Sequence, residues 1–426
     1  MQDSPSLPLP EPDGIDTERL WRRVETLSQF TEPDRPWTRR AFSDLHARAR
    51  AWLQDQMEAA GLDPRLDAAG NLIGRKAGTA PRARPLITGS HSDTVISGGR
   101  FDGIIGVLAG IEAAHAMRDK GVALAHPLEV IDFMSEEPSD YGISCVGSRA
   151  LAGLLEASML SATDPRGETL AAGLARIGAD PSALDRVRRE PGSTAAYLEL
   201  HIEQGPVLEQ KDMPIGVVTH IAGARRVAVE FLGSTGHSGT TPMAMRKDAL
   251  VAASGLVTEA HLLAAERDSP ERYVVATVGR ILNEPNMANA IPGRVDMVLE
   301  VRSDDDGVVD SFPEDALARL RARGLASGVE VRTRELTRSR VTHCDPGIMA
   351  VIEDSAAALR YPAMRLPSGA GHDGVYMRST GPIGMIFVPC LGGRSHCPEE
   401  WLAPEQLANG TRVLYRSLLE LDRRLA

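Results

Sequence analysis

Short apolar runs and helical stretches alternate along the first two hundred residues of this chain of 426, and that alternation limits the folds open to it. An apolar run at 85–88 is followed by a helical stretch over 104–119, a second run at 128–133 and a helix from about Ser148. Residues 195–203 and 215–219 read as further strands. Runs without polar alternation suit strands buried on both faces. The pattern therefore predicts an α/β fold with a mostly parallel central sheet covered by helices. Helical patterns at 16–30 and 41–60 come first, behind a Pro-rich, acidic stretch at 1–15 that reads as a loose leader.

From about residue 223 the pattern changes. Val227, Val229 and Phe231 alternate as in a half-buried strand, 247–265 is helical, and 273–282 and 294–302 are extended. In the second of these, Val295, Met297, Leu299 and Val301 share one face. A helix at 314–323 and a strand at 329–336 complete the order β-α-β-β-α-β, the ferredoxin-like arrangement. Residues 223–337 are thus expected to form a lid domain inserted between two parts of a catalytic domain, 1–222 and 338–426. The second part carries a helix at 348–359, a strand at 383–389 and a long helix from about Pro404.

With 47 basic against 58 acidic residues the formal charge is −11, which repels polyanions and points to small-molecule substrates rather than nucleic acid. No apolar run approaches the roughly 20 residues that cross a bilayer, and the N-terminus lacks a basic start followed by an apolar stretch. A cytoplasmic protein with no membrane partner is expected. The cysteines, Cys145, Cys344, Cys390 and Cys397, are scattered, so any metal must be held by His, Asp and Glu.

Those three residue types gather at strand ends. His91 and Asp93 follow the run at 85–88, Asp102 lies in a glycine-rich loop opening a helix, and Glu136 and Glu137 follow 128–133. His201 and Glu203 end the run at 195–200, and His396 follows 383–389 across a Gly-Gly turn. Open α/β sheets bind ligands at the carboxyl ends of their strands, so these segments converge on one crevice. Singly, each has a plainer reading: a hydrogen-bonded structural histidine, a helix N-cap, a solvated pair of glutamates. Two glutamates directly after an apolar strand, however, would bury uncompensated negative charge, and a dication removes that cost. Imidazole and carboxylate donors without thiolates suit zinc, manganese or cobalt. One glutamate can then coordinate while its neighbour takes a proton from the activated water and returns it to a departing nitrogen. Asp93, two residues from His91, is a candidate to fix that imidazole's tautomer.

In order along the chain, GSHSDTV, GGRFDGIIGVLAG, the SEE pair, LELHIEQGP, GHSGTTPM, SGAGHDG and IFVPCLGGRSHCPEEW resemble the motifs of the M20 peptidase-like amidohydrolases. The likeness covers 85–423 and is to the group of allantoate amidohydrolases, N-carbamoyl-L-amino-acid hydrolases and β-ureidopropionases. It implies a zinc-peptidase-like catalytic domain holding two divalent ions (Zn, Mn or Co). His91, Asp102 and His201 would bind one, with Asp102 bridging to a second held by Glu137 and His396; Glu136 would be the general base. It also implies a homodimer paired through the lid, with His237 reaching into the partner's site to polarise the scissile carbonyl. Asn289 and Arg302 would grip a substrate carboxylate, and Gln204 with the loop containing Gly369, Gly371 and His372 would line the pocket.

From the residues alone, Arg302 could equally form a surface salt bridge, the SGAGHDG loop is either an anion nest or a plain turn, and His237 is an exposed loop histidine. Three departures stand out: EEPSDYG at 136–142 where EEGSRF is common in the family, Cys397 where Asn is usual, and EVRS in place of DIRS. The first, which puts Asp140 beside Tyr141, bears on the choice of substrate. The expected reaction is hydrolysis of an N-carbamoyl-L-amino acid, or a related ureido or N-acyl amino acid, to the free amino acid. The alternatives are allantoate or ureidoglycolate hydrolysis, an aminoacylase-like or dipeptidase-like reaction, and a catalytically silent metal-bound carboxylate binder.

Overall fold

The computed structural model describes residues 14–80 and 82–426, so the expected leader lies outside the described residues except for Gly14 and Ile15. The strands, in chain order, are β1 Asp63–Leu66, β2 Leu72–Lys76, β3 Leu86–His91, β4 Leu128–Phe133, β5 Ala196–Ile202, β6 Ile215–Ile221, β7 Gly223–Leu232, β8 Gly236–His237, β9 Val274–Glu284, β10 Ala290–Ile291, β11 Arg294–Ser303, β12 Glu330–Ser339, β13 Thr342–His343, β14 Ala363–Ser368 and β15 Ile383–Val388. Two compact units result. One comprises the chain up to Thr219, His343–Leu366 and Gly371–Ala426; the other comprises His220–Thr342 and Pro367–Ala370.

The first unit is built on a sheet ordered β1-β2-β4-β3-β5-β15-β6-β13, with β14 beside β6. Its central strands β4, β3, β5 and β15 are parallel, whereas β2 and β6 join them antiparallel. Every residue of those four strands is buried, which is why their sequences run apolar instead of alternating. Being parallel, they deliver their carboxyl ends to one edge of the sheet. β3 ends on His91, β4 leads into Glu136 and Glu137, β5 carries His201, and β15 leads toward His396.

The helix Ile104–Asp119 follows the loop that carries Asp102 and is buried along most of its length. Its polar exception, Glu112, is fully buried and accepts from Arg23 Nη1 at 2.6 Å and Arg19 Nε at 2.8 Å, both on the helix Thr17–Ser28. A buried carboxylate is tolerated here because two guanidinium groups neutralise it.

In the second unit, β12-β7-β11-β9 form an antiparallel sheet. Val227, Val229 and Phe231 of β7 and Val295, Met297, Leu299 and Val301 of β11 share one core with Leu256, Leu263, Phe312 and Leu320 of the helices Ala249–Arg267 and Asp306–Ala322. The helix Ala249–Arg267 is long and apolar enough, by length and composition, to cross a membrane, a property not expected from the sequence. Half of that span is buried inside the protein, and its Glu259 pairs with Arg323 at 2.5 Å, as in a core helix.

Truncating Glu112 to Ala would strand the buried Arg23 guanidinium and should cost about 3 kcal/mol of stability. A urea unfolding curve that does not move would show that this cluster does not anchor the helix behind the Asp102 loop.

Candidate metal centre

Asp102 turns its two carboxylate oxygens to two different sets of donors. Oδ1 lies 3.1 Å from His201 Nε2 and 3.9 Å from His91 Nε2, while Oδ2 lies 3.0 Å from His396 Nε2. Glu137 Oε1 is 3.0 Å from the same His396 nitrogen. Candidate ligand atoms therefore fall into two groups, His91–Asp102–His201 and Asp102–Glu137–His396, each with its atoms within 4.8 Å of one another. The groups share Asp102 alone, the arrangement a bridging carboxylate needs.

The imidazoles are already oriented for ligation. His91 Nδ1 lies 2.9 Å from the Asp93 carbonyl and His201 Nδ1 lies 2.9 Å from the Ile202 carbonyl. A carbonyl only accepts, so each Nδ1 carries hydrogen and each Nε2 faces the centre. The approach of His91 also fixes a residue type. A Cβ on Gly103, whose φ is +68°, would sit 2.2 Å from His91 Nε2. Three non-glycine residues, Ser135 and Gln204 beside the candidate ligands and His396 among them, hold positive φ values of 53°, 57° and 56°. Each such conformation costs about 1–3 kcal/mol and is kept only where the surroundings enforce it.

The electrostatics of the centre favour cations. Burial raises Glu136 well above the usual carboxylate range, reinforced by Glu137, Asp373 and Asp93 and opposed by His91. Burial alone would lower His91, but Glu136, Asp93 and Asp102 together hold it up at about 10. Hydrogen bonds to Asp102 and Glu137 push His396 up to about 11. The carboxylates thus favour positive charge at the imidazoles. Divalent cations would supply that charge, and a nitrogen-and-oxygen donor set fits zinc, manganese or cobalt. A third cluster, Glu199–His201–His372, is a poorer site. Both Glu199 oxygens are already taken at 2.8 Å, by Ser90 Oγ and Tyr197 Oη.

Some residues play parts the sequence did not suggest. It is the Asp93 carbonyl that holds His91; its carboxylate is 3.8 Å away and instead accepts from the backbone N–H groups of Glu136 and Glu137 at 3.3 and 3.2 Å. Gln204 Nε2 donates to Asp102 Oδ2 at 2.8 Å. Cys145 lies with Sγ 3.5 Å from Glu136 Oε1, a contact no spacing rule could reveal. The SGAGHDG loop is not an anion nest. Neither Gly369 nor Gly371 has the positive φ a nest requires, and the Ala370 N–H is taken by Ser368 Oγ at 3.2 Å. His372 is buried with its ring centroid 4.6 Å from that of His201, and Gly371 is exposed. In the unusual segment, Asp140 pairs with Arg40 at 2.8 Å, and the buried Tyr141 bonds Glu168 and packs on Phe42.

In the second unit, His237 and Ala290 pair across β8 and β10, and the Asn289 carbonyl accepts from the Ser238 N–H at 3.1 Å. His237 and Asn289 are therefore near neighbours, both exposed. Arg302 donates to Glu300 Oε1 and to the Gly369 carbonyl, each at 2.6 Å.

The profile of the peptidase family M20/M25/M40 matches residues 87–420. The chain is 39% identical to an N-carbamoyl-L-amino acid amidohydrolase of Geobacillus stearothermophilus, over 96% of this chain and 99% of that protein. It is 35% identical to a ureidoglycolate hydrolase of Arabidopsis thaliana, over 99% of this chain and 92% of the relative. Among solved structures, an amidase of the hydantoinase/carbamoylase family from Burkholderia multivorans superposes with a TM-score of 0.87 at 35% identity, covering 96% of this chain and 98% of the other.

Because neighbouring carboxylates push His91 up to about 10 and His396 up to about 11, and a ligating nitrogen must give up its proton, cation binding at pH 7 should release protons. Affinity should rise with pH and fall on acidification. Calorimetric titration with Zn²⁺ in two buffers of different ionisation enthalpy measures the release, and identical heats would contradict it.

Proposed function

Because this chain belongs to peptidase family M20/M25/M40, we propose that it is a dinuclear metal-dependent amidohydrolase that converts an N-carbamoyl-L-amino acid to the free amino acid. The observation that carries this is Asp102, with one oxygen toward His91 and His201 and the other toward His396 and Glu137, next to a half-buried carboxylate at Glu136. When bound, two divalent ions (Zn, Mn or Co) supply Lewis-acid polarisation of the scissile carbonyl and of the attacking water.

The chain's own groups do the rest. Glu136, 3.7 Å from His91 Nε2 and side-chain exposed by 12%, takes a proton from the attacking water and passes it to the departing nitrogen. Burial raises its basicity, and the weak Cys145 thiol donor leaves the carboxylate free to move that proton. Asp93 fixes the Glu136–Glu137 backbone, and Gln204 holds Asp102. Hydrolysis of the ureido group then yields the amino acid, ammonia and carbon dioxide.

The remaining assignments rest on the family resemblance. We read residues 223–337 as a ferredoxin-like lid through which two copies pair, and 1–222 with 338–426 as the catalytic domain. His237 of one copy would polarise the scissile carbonyl in the other. Asn289 and Arg302 would bind the substrate carboxylate, with Gln204, Gly369, Gly371 and His372 along the pocket. The strand order β12-β7-β11-β9 and the His237–Asn289 neighbourhood support these parts of the reading. A cytoplasmic location is part of the same proposal. The Arabidopsis relative's name favours ureidoglycolate, with allantoate, as the second reading.

A panel of N-carbamoyl and N-acyl amino acids, allantoate and ureidoglycolate, assayed with added Zn²⁺, Mn²⁺ or Co²⁺ and scored for ammonia from the ureido substrates and for carboxylic acid from the acyl ones, separates these substrates. Turnover of an N-carbamoyl-L-amino acid is expected; none across the whole panel would sink the hydrolase reading. Glu136→Gln should lower kcat about 100- to 10,000-fold with metal content unchanged. An undiminished rate would remove Glu136 as the general base.

A further inference from the structure

Asp102 works as a bridge only if its carboxylate plane is held with one oxygen on each side, and the residue that holds its backbone is not among the ligands. Glu400 is 1% exposed, and its Oε1 accepts from the N–H groups of Phe101 at 2.8 Å and Asp102 at 3.1 Å. Its Oε2 lies 2.9 Å from Ser395 Oγ, which is itself 2.8 Å from Asp102 Oδ2, so one hydroxyl proton is shared between the two carboxylates. The carboxylate is pressed so closely onto the loop that a Cβ on Gly99 would fall 1.9 Å from Glu400 Cδ. Glycine is therefore required there by Glu400.

The neighbouring residues clamp the same two segments together. The Arg100 guanidinium lies 4.8 Å from the Trp37 ring and 4.9 Å from the Trp401 ring, and Phe101 and Trp401 meet edge to face at 5.8 Å. The polar link from residue 400 and the aromatic link from residue 401 thus fix one loop, SGGRFDG at 97–103, from one side. A buried carboxylate that accepts two successive backbone N–H groups makes charge-assisted bonds, stronger than neutral ones. Outer partners of this kind set ligand orientation and hence metal affinity.

We propose that Glu400 is a positioning residue: by gripping the backbone of Phe101 and Asp102 and, through Ser395, the Asp102 side chain, it holds the carboxylate in the bridging orientation. This rests on the metal reading of the centre. Glutamine at 400 can still accept both N–H bonds through its amide oxygen and donate to Ser395; alanine can do neither.

The test uses full-length wild type, Glu400→Ala and Glu400→Gln, stripped of metal and titrated with Co²⁺ by visible absorption, with thermal unfolding of the metal-free forms alongside. Expected are two equivalents for wild type, about 10- to 100-fold weaker binding with an altered spectrum for Glu400→Ala at an unshifted unfolding temperature, and near wild-type binding for Glu400→Gln. Wild-type affinity and spectrum in Glu400→Ala, or a Glu400→Gln variant as weak as alanine, would overturn the proposal. If Glu400→Ala melts early, Ser395→Ala decides. Weakened Co²⁺ binding in that folded variant supports the role, and unchanged binding refutes it. A wild type that binds no Co²⁺ would remove the metal reading, and this inference with it.

Discussion

The organisation of this protein depends on crowding several carboxylates into a buried space. Asp93, Asp102, Glu136, Glu137 and Asp373 all lie at one edge of the central sheet, and burial charges a heavy cost for negative charge that nothing balances. The same carboxylates push the His91 and His396 imidazoles up to about 10 and about 11. Cations would balance the negative charge, because each brings a double charge and satisfies several oxygens at once. The parallel sheet makes the crowding possible by bringing four carboxyl ends to a single edge, so that donors from segments far apart in sequence meet.

Much of this was legible in the sequence because it depends on strand ends. The apolar runs before His91, Glu136 and His201 mark strands that end where ligands begin, and β3, β4 and β5 lie where those runs are. The alternation of Val227, Val229 and Phe231 reads directly as one buried face of β7. The family motifs supplied the residues that periodicity cannot reach, such as Asp102 in its loop.

What the sequence hid is of another kind. Which atom of a residue makes a contact is not written in its type: Asp93 serves His91 with its carbonyl and the Glu136–Glu137 backbone with its carboxylate. Contacts between segments hundreds of residues apart leave no spacing signal, as with Glu400 on Phe101. The partners of a departure from a family pattern are hidden in the same way: Asp140 pairs with Arg40 on the surface and Tyr141 packs on Phe42. For SGAGHDG, glycine content left a nest and a plain turn equally open, and the sign of φ favours the turn.

The central claim is that Asp102 bridges two cations. Electron paramagnetic resonance of the protein loaded with two equivalents of Mn²⁺ tests it most directly, since ions sharing a carboxylate at about 3.5–4 Å are exchange-coupled. A coupled multiline spectrum that reverts to isolated ions in Asp102→Ala is the predicted result. A simple six-line spectrum of isolated Mn²⁺ in the wild type would contradict it.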